Sequence, residues 1–240
     1  MAAPHLHVAI TSYERREMLE GLMAQILQYR GQYHLDIRLY DDASSFSLEW
    51  AREIPEVTVW QADQNHGKEY FWLIWQRLAA DAASARYDYF FSLQDDCRLI
   101  PNFFDRAIRT WEAIPDRRKT TLMLLLDESR RGRTIWTEHE PELLDLGDVQ
   151  VWHTQWVDCL FMSDGRWVRR FGGVAEVPQR RWASNPSWSS GVGTQITQWL
   201  NELGWRMYQV AGQSLVIHEA HESKLNPQRD EADRKSLTSI

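Results

Sequence analysis

Short apolar runs alternate with amphipathic stretches along the first half of the chain. An apolar run of about four to eight residues between polar residues predicts a buried strand, and apolar residues spaced three and four apart predict a helix packed on one face. The helix over 14–29, for example, is indicated by Leu19, Leu22, Met23 and Ile26. These two patterns predict strands over 5–11, 34–40, 57–61, 87–93 and 120–126, and helices over 14–29, 66–83 and 101–114.

This alternation of strands and helices predicts a parallel sheet covered on both faces. Right-handed crossovers bring the ends of parallel strands to one edge of the sheet, where ligands bind in such folds. Acidic residues follow three of the predicted strands: Asp41 and Asp42, then Asp63, then Asp95 and Asp96. We therefore expect an acidic binding edge.

The second half of the chain is less regular. A helix over 194–203 is predicted to end at Gly204, since glycine adopts the left-handed conformation that often follows a helix. No linker divides the chain, so we expect one domain over 1–240. The other predicted elements are strands over 149–152, 156–162, 206–210 and 214–217, a helix over 164–171, a loop or hairpin over 130–148 and an irregular stretch over 172–190.

Composition narrows the function classes. The 240 residues are 43% hydrophobic, which suffices for a core, and the net charge is −7. Residues 1–128 carry 14 Lys and Arg against 20 Asp and Glu, whereas residues 129–240 carry 13 against 14. A globally basic nucleic-acid binder is therefore excluded, and a local basic surface in the second half stays open.

Compartment and membrane signals point to the cytoplasm. Two cysteines cannot build a disulfide scaffold. No apolar run approaches the roughly 20 residues of a membrane-spanning helix, and the first residues lack the basic and apolar regions of a signal peptide. We expect a cytoplasmic protein with no membrane-spanning segment.

Two common nucleotide-binding loops are absent from the sequence. The junction between the first predicted strand and helix, residues 11–15, reads TSYER and contains no glycine. It therefore lacks the GxGxxG of dinucleotide-binding folds, and no GxxxxGK[ST] occurs elsewhere. Both of these folds are excluded.

The acid pair Asp95-Asp96 carries the strongest chemical signal. It ends a buried strand, and a helix is predicted to begin shortly afterwards at Pro101. Two adjacent carboxylates repel each other unless a cation or a proton offsets their charge. Divalent cations accept carboxylate oxygens and leave coordination positions for a substrate diphosphate. The pair therefore predicts a metal site.

Six short motifs follow one another over residues 5–221. They are the segments 10–15 (ITSYER), 40–44 (YDDAS), 65–68 (NHGK), 94–104 (QDDCRLIPNFF) and 200–206 (LNELGWR), and the strand that leads to His218. In this order they resemble the motifs of GT-A glycosyltransferases of the family 2-like type. The resemblance implies a GT-A-like α/β sandwich with a mainly parallel central sheet, and a hexosyltransferase-type reaction.

The resemblance implies that residues 1–128 bind a nucleoside diphosphate sugar, with a UDP-sugar favoured. Tyr13 and Arg15 match residues that pack the base, and Asp42, supported by Asp41, matches the acid that accepts the base N–H. The other implied donor-binding residues are Thr11 in the first motif, Asn65, Gly67 and Lys68 beside the diphosphate, and Gln94 and Asp95, of which Asp95 contacts either the ribose or a metal-bound water.

The implied metal is Mn²⁺ or Mg²⁺, which would neutralise the departing diphosphate as a Lewis acid. Asp96 matches the direct metal ligand, and a late histidine matches a second ligand. Either His218 or His221 could fill that place; His218 is preferred because it directly follows an apolar strand, and His221 then faces the acceptor or phosphate.

The catalytic base is left open by one departure from the family pattern. Many members carry Glu-Asp at the start of the late helix, and this Asp deprotonates the acceptor. The corresponding segment 189–195 contains no acid. Candidate replacements are Asp158, Asp164 and Glu176; alternatively, the enzyme retains anomeric configuration and needs no such base.

The acceptor is expected to bind to residues 129–240. Arginines and tryptophans are interleaved there, which suits a flat, polyanionic partner. The candidate acceptor-binding residues are Arg180, Arg181, Trp182 and Trp188. The chain also resembles glycosyltransferases encoded by bacteriophages, which would act in the host cytoplasm. This resemblance suggests a 5-hydroxymethyl pyrimidine in DNA as the first acceptor hypothesis and a cell-envelope saccharide as the second.

Two other function classes remain. A nucleotidyltransferase also uses paired acids and a metal, but it would need a glycine-rich basic loop after the first strand. A non-catalytic sugar-nucleotide-binding relative would explain the missing Glu-Asp. The sequence leaves the sugar, the anomeric outcome and the oligomeric state open.

Overall fold

Strands and helices alternate through the first half, as the apolar pattern predicts. The computed structural model describes residues 2–67, 69–126, 141–166 and 191–218. Its strands are β1 (His5–Ser12), β2 (His34–Asp41), β3 (Val57–Gln61), β4 (Tyr89–Gln94), β5 (Cys97–Leu99), β6 (Lys119–Met123), β7 (Glu142–Asp145), β8 (Gln150–Thr154), β9 (Phe161–Asp164), β10 (Arg206–Val210) and β11 (Val216–His218). Its helices are α1 (Arg16–Leu27), α2 (Glu49–Arg52), α3 (Phe71–Ser84), α4 (Phe103–Ala113) and α5 (Val192–Glu202).

The central sheet has nine strands in the order β3-β2-β1-β4-β9-β6-β10-β8-β7. Strands β3, β2, β1 and β4 pair in parallel, and so do β6 and β10. Strand β9 runs antiparallel to both β4 and β6, and β8 runs antiparallel to both β10 and β7. Seven of the nine strands therefore point in one direction, which confirms the predicted α/β class with a mainly parallel sheet.

Apolar residues cover both faces of the sheet. Alternate residues of β1 contribute to different clusters: Leu6, Val8 and Ile10 pack with α1 and α4, whereas Ala9 packs with α3 and α5. This division follows from the two-residue repeat of a strand. The helices thus form a layer on each face of the sheet. None of the helices in the described ranges could cross a membrane.

Three predicted boundaries are wrong. Helix α3 begins at Phe71 rather than at 66, because residues 65–67 are held in a loop by hydrogen bonds to an acid. Helix α4 begins at Phe103 rather than at Pro101, and its first N–H is bound by the hydroxyl of Tyr29 at 2.8 Å. Strand β6 ends at Met123 rather than at 126.

The region predicted as one strand over 156–162 is divided. Only Phe161–Asp164 forms a strand, whereas the backbone N–H and C=O of Val157 are bound by the hydroxyl of Thr197 on α5. The predicted hairpin is present in part, since β7 pairs with β8. The predicted helix over 164–171 falls largely, and the irregular stretch over 172–190 entirely, outside the described residues.

Helix α4, which follows the acid pair, ends on a buried lysine. The Nζ of Lys119 donates to the carbonyl oxygens of Trp111 at 2.6 Å and Ile114 at 2.9 Å, and it lies 4.8 Å from the centre of the Trp111 ring. The last carbonyls of a helix have no partner within the helix. Lys119 supplies one, although burial lowers its pKa.

Replacing this lysine should therefore destabilise the fold. We expect Lys119→Met to lower the free energy of unfolding by about 1.5–3 kcal/mol, the range for hydrogen bonds to charged groups. The measurement is urea denaturation at neutral pH. Arg117→Met, which removes an exposed cation two residues away, should change it little; equal stability of both variants would show that the cap contributes nothing.

Candidate active site

The loops that follow β1, β2 and β4 meet at one edge of the sheet. Ser12 at the end of β1 pairs with Asp41 on β2, and Thr11 pairs with Gln94 on β4. The backbone N–H of Asp95 continues this pairing with a hydrogen bond to the Thr11 carbonyl. The loop over residues 13–15 therefore lies between two acid pairs, with Asp41-Asp42 on one side and Asp95-Asp96 on the other. The order of the parallel strands predicts this arrangement.

The acid pair after β4 is buried, and it accepts hydrogen bonds from the loop after β1. Asp95 is 2% exposed and Asp96 is 6% exposed. One guanidinium nitrogen of Arg15, Nη1, donates to Asp95 Oδ1 at 3.0 Å and to Asp96 Oδ2 at 3.1 Å. The backbone N–H of Tyr13 donates to Asp95 Oδ2 at 2.9 Å. Burial and then the charge of Asp96 raise the pKa of Asp95 to about 6, against the opposing effect of Arg15.

A second short sheet brings His218 to this pair. Strands β5 and β11 are antiparallel, and His218 pairs with Cys97, the residue after Asp96. The imidazole Nε2 lies 3.3 Å from Asp96 Oδ2 and its side chain is 46% exposed. The two predicted metal ligands are thus neighbours. Burial raises the pKa of the Cys97 thiol, so its uncharged form is favoured and it makes a poor ligand.

These residues form a pair of potential ligands rather than a closed cage. Within the four described ranges, no group of three or more His, Cys, Asp or Glu side chains is arranged to hold a metal ion. A carboxylate beside an exposed imidazole still fits a divalent ion that takes its other ligands from a substrate or from water. Asp96 and His218 are the residues that could hold such an ion.

Asp42 organises the loop before α3. Its Oδ1 accepts from the backbone N–H of His66 at 2.8 Å and lies 2.9 Å from the imidazole Nδ1 of the same residue. Its Oδ2 accepts from Asn65 Nδ2 at 3.0 Å and from the backbone N–H of Gly67 at 2.9 Å. A carboxylate has about four acceptor positions, so the four contacts from residues 65–67 fill the acceptor positions of Asp42. The resemblance implies contact with the base, which would require one of these donors to leave.

Asp41 has a structural role. It is fully buried, and it accepts from the backbone N–H of Ser44 at 2.8 Å, from the Ser44 hydroxyl at 2.6 Å and from Gln61 Nε2 at 3.1 Å. The bond from the backbone N–H of Ser44 closes a turn over residues 41–44. Burial raises the pKa of Asp41 despite these donors. The Ser44 hydroxyl in turn accepts from the backbone N–H of Glu14, so the turn also fixes the loop after β1.

The other predicted donor-binding residues of the first half surround this edge. Thr11 is buried, whereas Tyr13 and Gln94 are half-buried. Burial raises the pKa of Tyr13. The guanidinium of Arg15 contacts both acids of the Asp95-Asp96 pair, and its packing on a base stays a prediction.

Two of the candidate bases lie at opposite edges of the sheet. Asp164 ends β9 and pairs with Tyr89, the first residue of β4, because β9 runs antiparallel. It also forms an ion pair with Arg166. The six residues of β4 span roughly 17 Å, so the structure does not bring Asp164 to the acid edge. Asp158 precedes β9 and therefore lies at the near edge.

Asp158 lies against the start of α5. The next residue, Cys159, accepts a hydrogen bond from the hydroxyl of Ser92 on β4, three residues before Asp95. A side chain at Gly193, in the first turn of α5, would place its Cβ 3.2 Å from Asp158 Oδ1. The absence of a side chain at 193 therefore leaves room for the carboxylate.

Several predicted residues lie outside the described part of the chain. They are Lys68, Glu176, Arg180, Arg181, Trp182, Trp188 and His221. Sequence reasoning also missed two contributors to this edge, Glu14 and His66. Glu14 binds the backbone N–H and hydroxyl of Ser45. A polar residue in each loop was the only available signal, because a contact between loops leaves no periodic pattern.

Comparisons with known proteins identify the fold. No protein-family profile and no curated protein matches the sequence. Among solved structures, the mannosyltransferase PcManGT from Pyrobaculum calidifontis, in complex with GDP-Man and Mn²⁺, matches with a TM-score of 0.60 at 13% identity. GalNAc-T7 with UDP, GalNAc and Mn²⁺ matches at 0.55 and 14%, and S. aureus TarS 1-349 with UDP-GlcNAc at 0.55 and 10%.

The matches cover nearly all of this chain and less of the others. They include 100%, 87% and 93% of this chain, but 66%, 42% and 60% of the three structures, in the same order. The chain thus spans less than two thirds of each neighbour. At these identities the likeness concerns the backbone, and it shows that this protein has the α/β fold of the GT-A glycosyltransferases.

Proposed function

We propose that this protein is a metal-dependent glycosyltransferase that transfers a sugar from a nucleoside diphosphate sugar to an acceptor hydroxyl. The observation that carries the proposal is the buried pair Asp95-Asp96 with His218 only 3.3 Å from Asp96. It lies at the carboxyl edge of a sheet whose structural neighbours were crystallised with nucleotides or nucleotide sugars, two of them with Mn²⁺.

Asp96 and His218 are the proposed metal ligands. Carboxylate oxygens suit Mg²⁺ and Mn²⁺ alike, but Mg²⁺ rarely takes an imidazole, so the mixed pair favours Mn²⁺. When bound, the ion would supply Lewis-acid neutralisation of the departing diphosphate. The chain's own contribution is to hold both ligands in register through the β5–β11 pairing.

The donor is proposed to bind between the loops after β1, β2 and β4. Two of the neighbours contain UDP or a UDP-sugar and one contains GDP-Man, so a UDP-sugar is the first donor to test. Tyr13 and Gln94 are half-buried there and offer a ring and an amide to the nucleotide. Asp42 acts on the donor by fixing residues 65–67, which border the same space.

Asp158 is the proposed acceptor base. It is the described candidate at the acid edge, where its carboxylate packs against Gly193 and accepts from the backbone N–H of Cys159 at 2.7 Å. In this role its carboxylate accepts the proton of the acceptor hydroxyl while the sugar is transferred. The residues on which the acceptor hypotheses depend lie outside the described ranges. The 5-hydroxymethyl pyrimidine in DNA therefore stays a prediction, and the cell-envelope saccharide stays its alternative.

The reaction products distinguish the three function classes. With UDP- and GDP-sugars and Mn²⁺, we expect release of the nucleoside diphosphate. Release of pyrophosphate would indicate a nucleotidyltransferase, and release of neither product would indicate a binding protein.

Asp96→Asn should abolish metal-dependent donor binding, because a neutral amide replaces the charged ligand. The control variant Asp63→Asn removes an exposed acid and should retain metal-dependent donor binding. Full activity of Asp96→Asn would contradict the assignment.

Asp42→Ala should raise the donor KM by more than about tenfold, because it removes several hydrogen bonds to a charged acceptor. The loop over 65–67 would then lose the acid that shapes it. The readout is steady-state kinetics with varied donor, and Asp63→Ala is the matched control. An unchanged donor KM would separate this loop from the donor site.

Asp158→Asn should lower kcat about 10²–10⁴-fold, the usual contribution of a general base, with little change in donor KM. Asp164→Asn, at the far edge of the sheet, should leave kcat unchanged. Both are measured with the acceptor that supports turnover, chosen from labelled-sugar transfer to hydroxymethylated DNA, unmodified DNA and saccharides. A normal kcat in Asp158→Asn would instead support a retaining reaction.

A further inference from the structure

Arg15 occupies the place of a counter-cation beside the buried acid pair. Among the described residues, the hydrogen-bond acceptors of its guanidinium are Asp95 and Asp96, both reached by Nη1. Its side chain is 14% exposed, so this charge is largely removed from water. Because two buried carboxylates repel each other, one fixed cation between them stabilises the pair.

The guanidinium and a metal ion would need the same oxygen atom. Arg15 Nη1 lies 3.1 Å from Asp96 Oδ2, and this is also the oxygen that lies 3.3 Å from His218 Nε2. A divalent ion bound by Asp96 and His218 would therefore sit close to a positive charge. Repulsion between like charges makes simultaneous binding unfavourable, so one cation must give way.

The guanidinium also carries a donor that has no acceptor. Its Nε is buried and lacks a hydrogen-bond partner in the described residues. A buried N–H without an acceptor is destabilising, and such groups are rare in folded proteins. An anionic oxygen brought to this edge would satisfy it. The diphosphate of the proposed donor is an anion of that kind.

The backbone of Arg15 is fixed, so a displacement of its guanidinium would be a rotation within the side chain. Arg15 immediately precedes α1, and its carbonyl oxygen accepts from the backbone N–H of Leu19 at 3.0 Å. The loop before it is fixed by Glu14, whose N–H is bound by Ser44. A displaced guanidinium would thus pivot about a fixed point and stay near the edge.

We propose that Arg15 is a displaceable counter-cation that couples metal binding to binding of the diphosphate. Without metal, it neutralises Asp95 and Asp96. If a divalent ion bound Asp96, the guanidinium would leave Asp96 Oδ2. Its N–H groups, including that of Nε, would then donate to the diphosphate. Metal alone then binds weakly, and metal and diphosphate strengthen each other's binding by the same factor. The diphosphate part rests on the proposed function, whereas the competition with metal does not.

The test measures the affinity for Mn²⁺ in the absence of nucleotide. The readout is calorimetry or the electron paramagnetic resonance signal of free Mn²⁺. Arg15→Met should bind Mn²⁺ about tenfold more tightly than the wild type, a change typical of coupled sites. Arg15→Lys keeps the charge and should bind it weakly, as the wild type does. Arg16→Met removes the neighbouring exposed arginine, which pairs with Glu20, and should change nothing.

Addition of UDP supplies the second readout. UDP should tighten Mn²⁺ binding strongly in the wild type and much less in Arg15→Met, since the residue that couples the two ligands is gone. In an Asp96→Asn background, Arg15→Met should no longer raise Mn²⁺ affinity. Equal or weaker Mn²⁺ binding by Arg15→Met would overturn the proposal, and so would an undiminished effect of UDP.

Folding and function are separated by the design. If Arg15→Met does not fold, as judged by circular dichroism, Arg15→Gln gives the same comparison with a polar side chain. If no donor is turned over but Arg15→Met still binds Mn²⁺ more tightly, the proposed function fails and the competition stands. If transfer occurs and Mn²⁺ affinity is unchanged in the variant, the function stands and the proposed role of Arg15 is wrong.

Discussion

The burial of two adjacent carboxylates at the end of β4 is the constraint on which the candidate site depends. Charged groups are retained inside a protein only when other groups compensate the loss of water. Two separate segments meet this need for Asp95 and Asp96. The loop after β1 brings an N–H and a guanidinium, and β11 brings an imidazole. The close packing of these loops is therefore a requirement of the acids as much as of any ligand.

The neighbouring acids after β2 meet the same constraint in a different way. Asp41 and Asp42 are surrounded by backbone N–H groups, a hydroxyl and amides from nearby loops. Donors of this kind belong to the fold and cannot be withdrawn without rearranging it. Apart from the N–H of Tyr13, the Asp95-Asp96 pair instead relies on two side chains, the guanidinium of Arg15 and the imidazole of His218. One acid pair is thus suited to stiffen the edge, and the other is suited to exchange partners.

The sequence predicts the parallel part of the fold well because that part is locally encoded. Strands β1 to β4 are five to eight residues long and are rich in apolar residues, so each one carries a local signal. The acids at the edge follow from strand order alone. The family resemblance implies that Asp96 and His218 meet, whereas the pairing of β5 with β11 has no periodic signal in the sequence, because each strand is only three residues long. The late start of α3 and the contacts of Arg15 arise from loop contacts between distant segments, and these have no periodicity either.

The antiparallel strand β9 has a consequence for the division of the chain into a first and a second half. Although it comes from the second half, it lies between β4 and β6, which both belong to the first. Until residues 161–164 are in place, β4 and β6 would each present an unpaired apolar edge, and such edges promote aggregation. Strand β9 therefore joins the two halves in one sheet, and a chain that ended at β6 would leave the edges of β4 and β6 that β9 covers exposed.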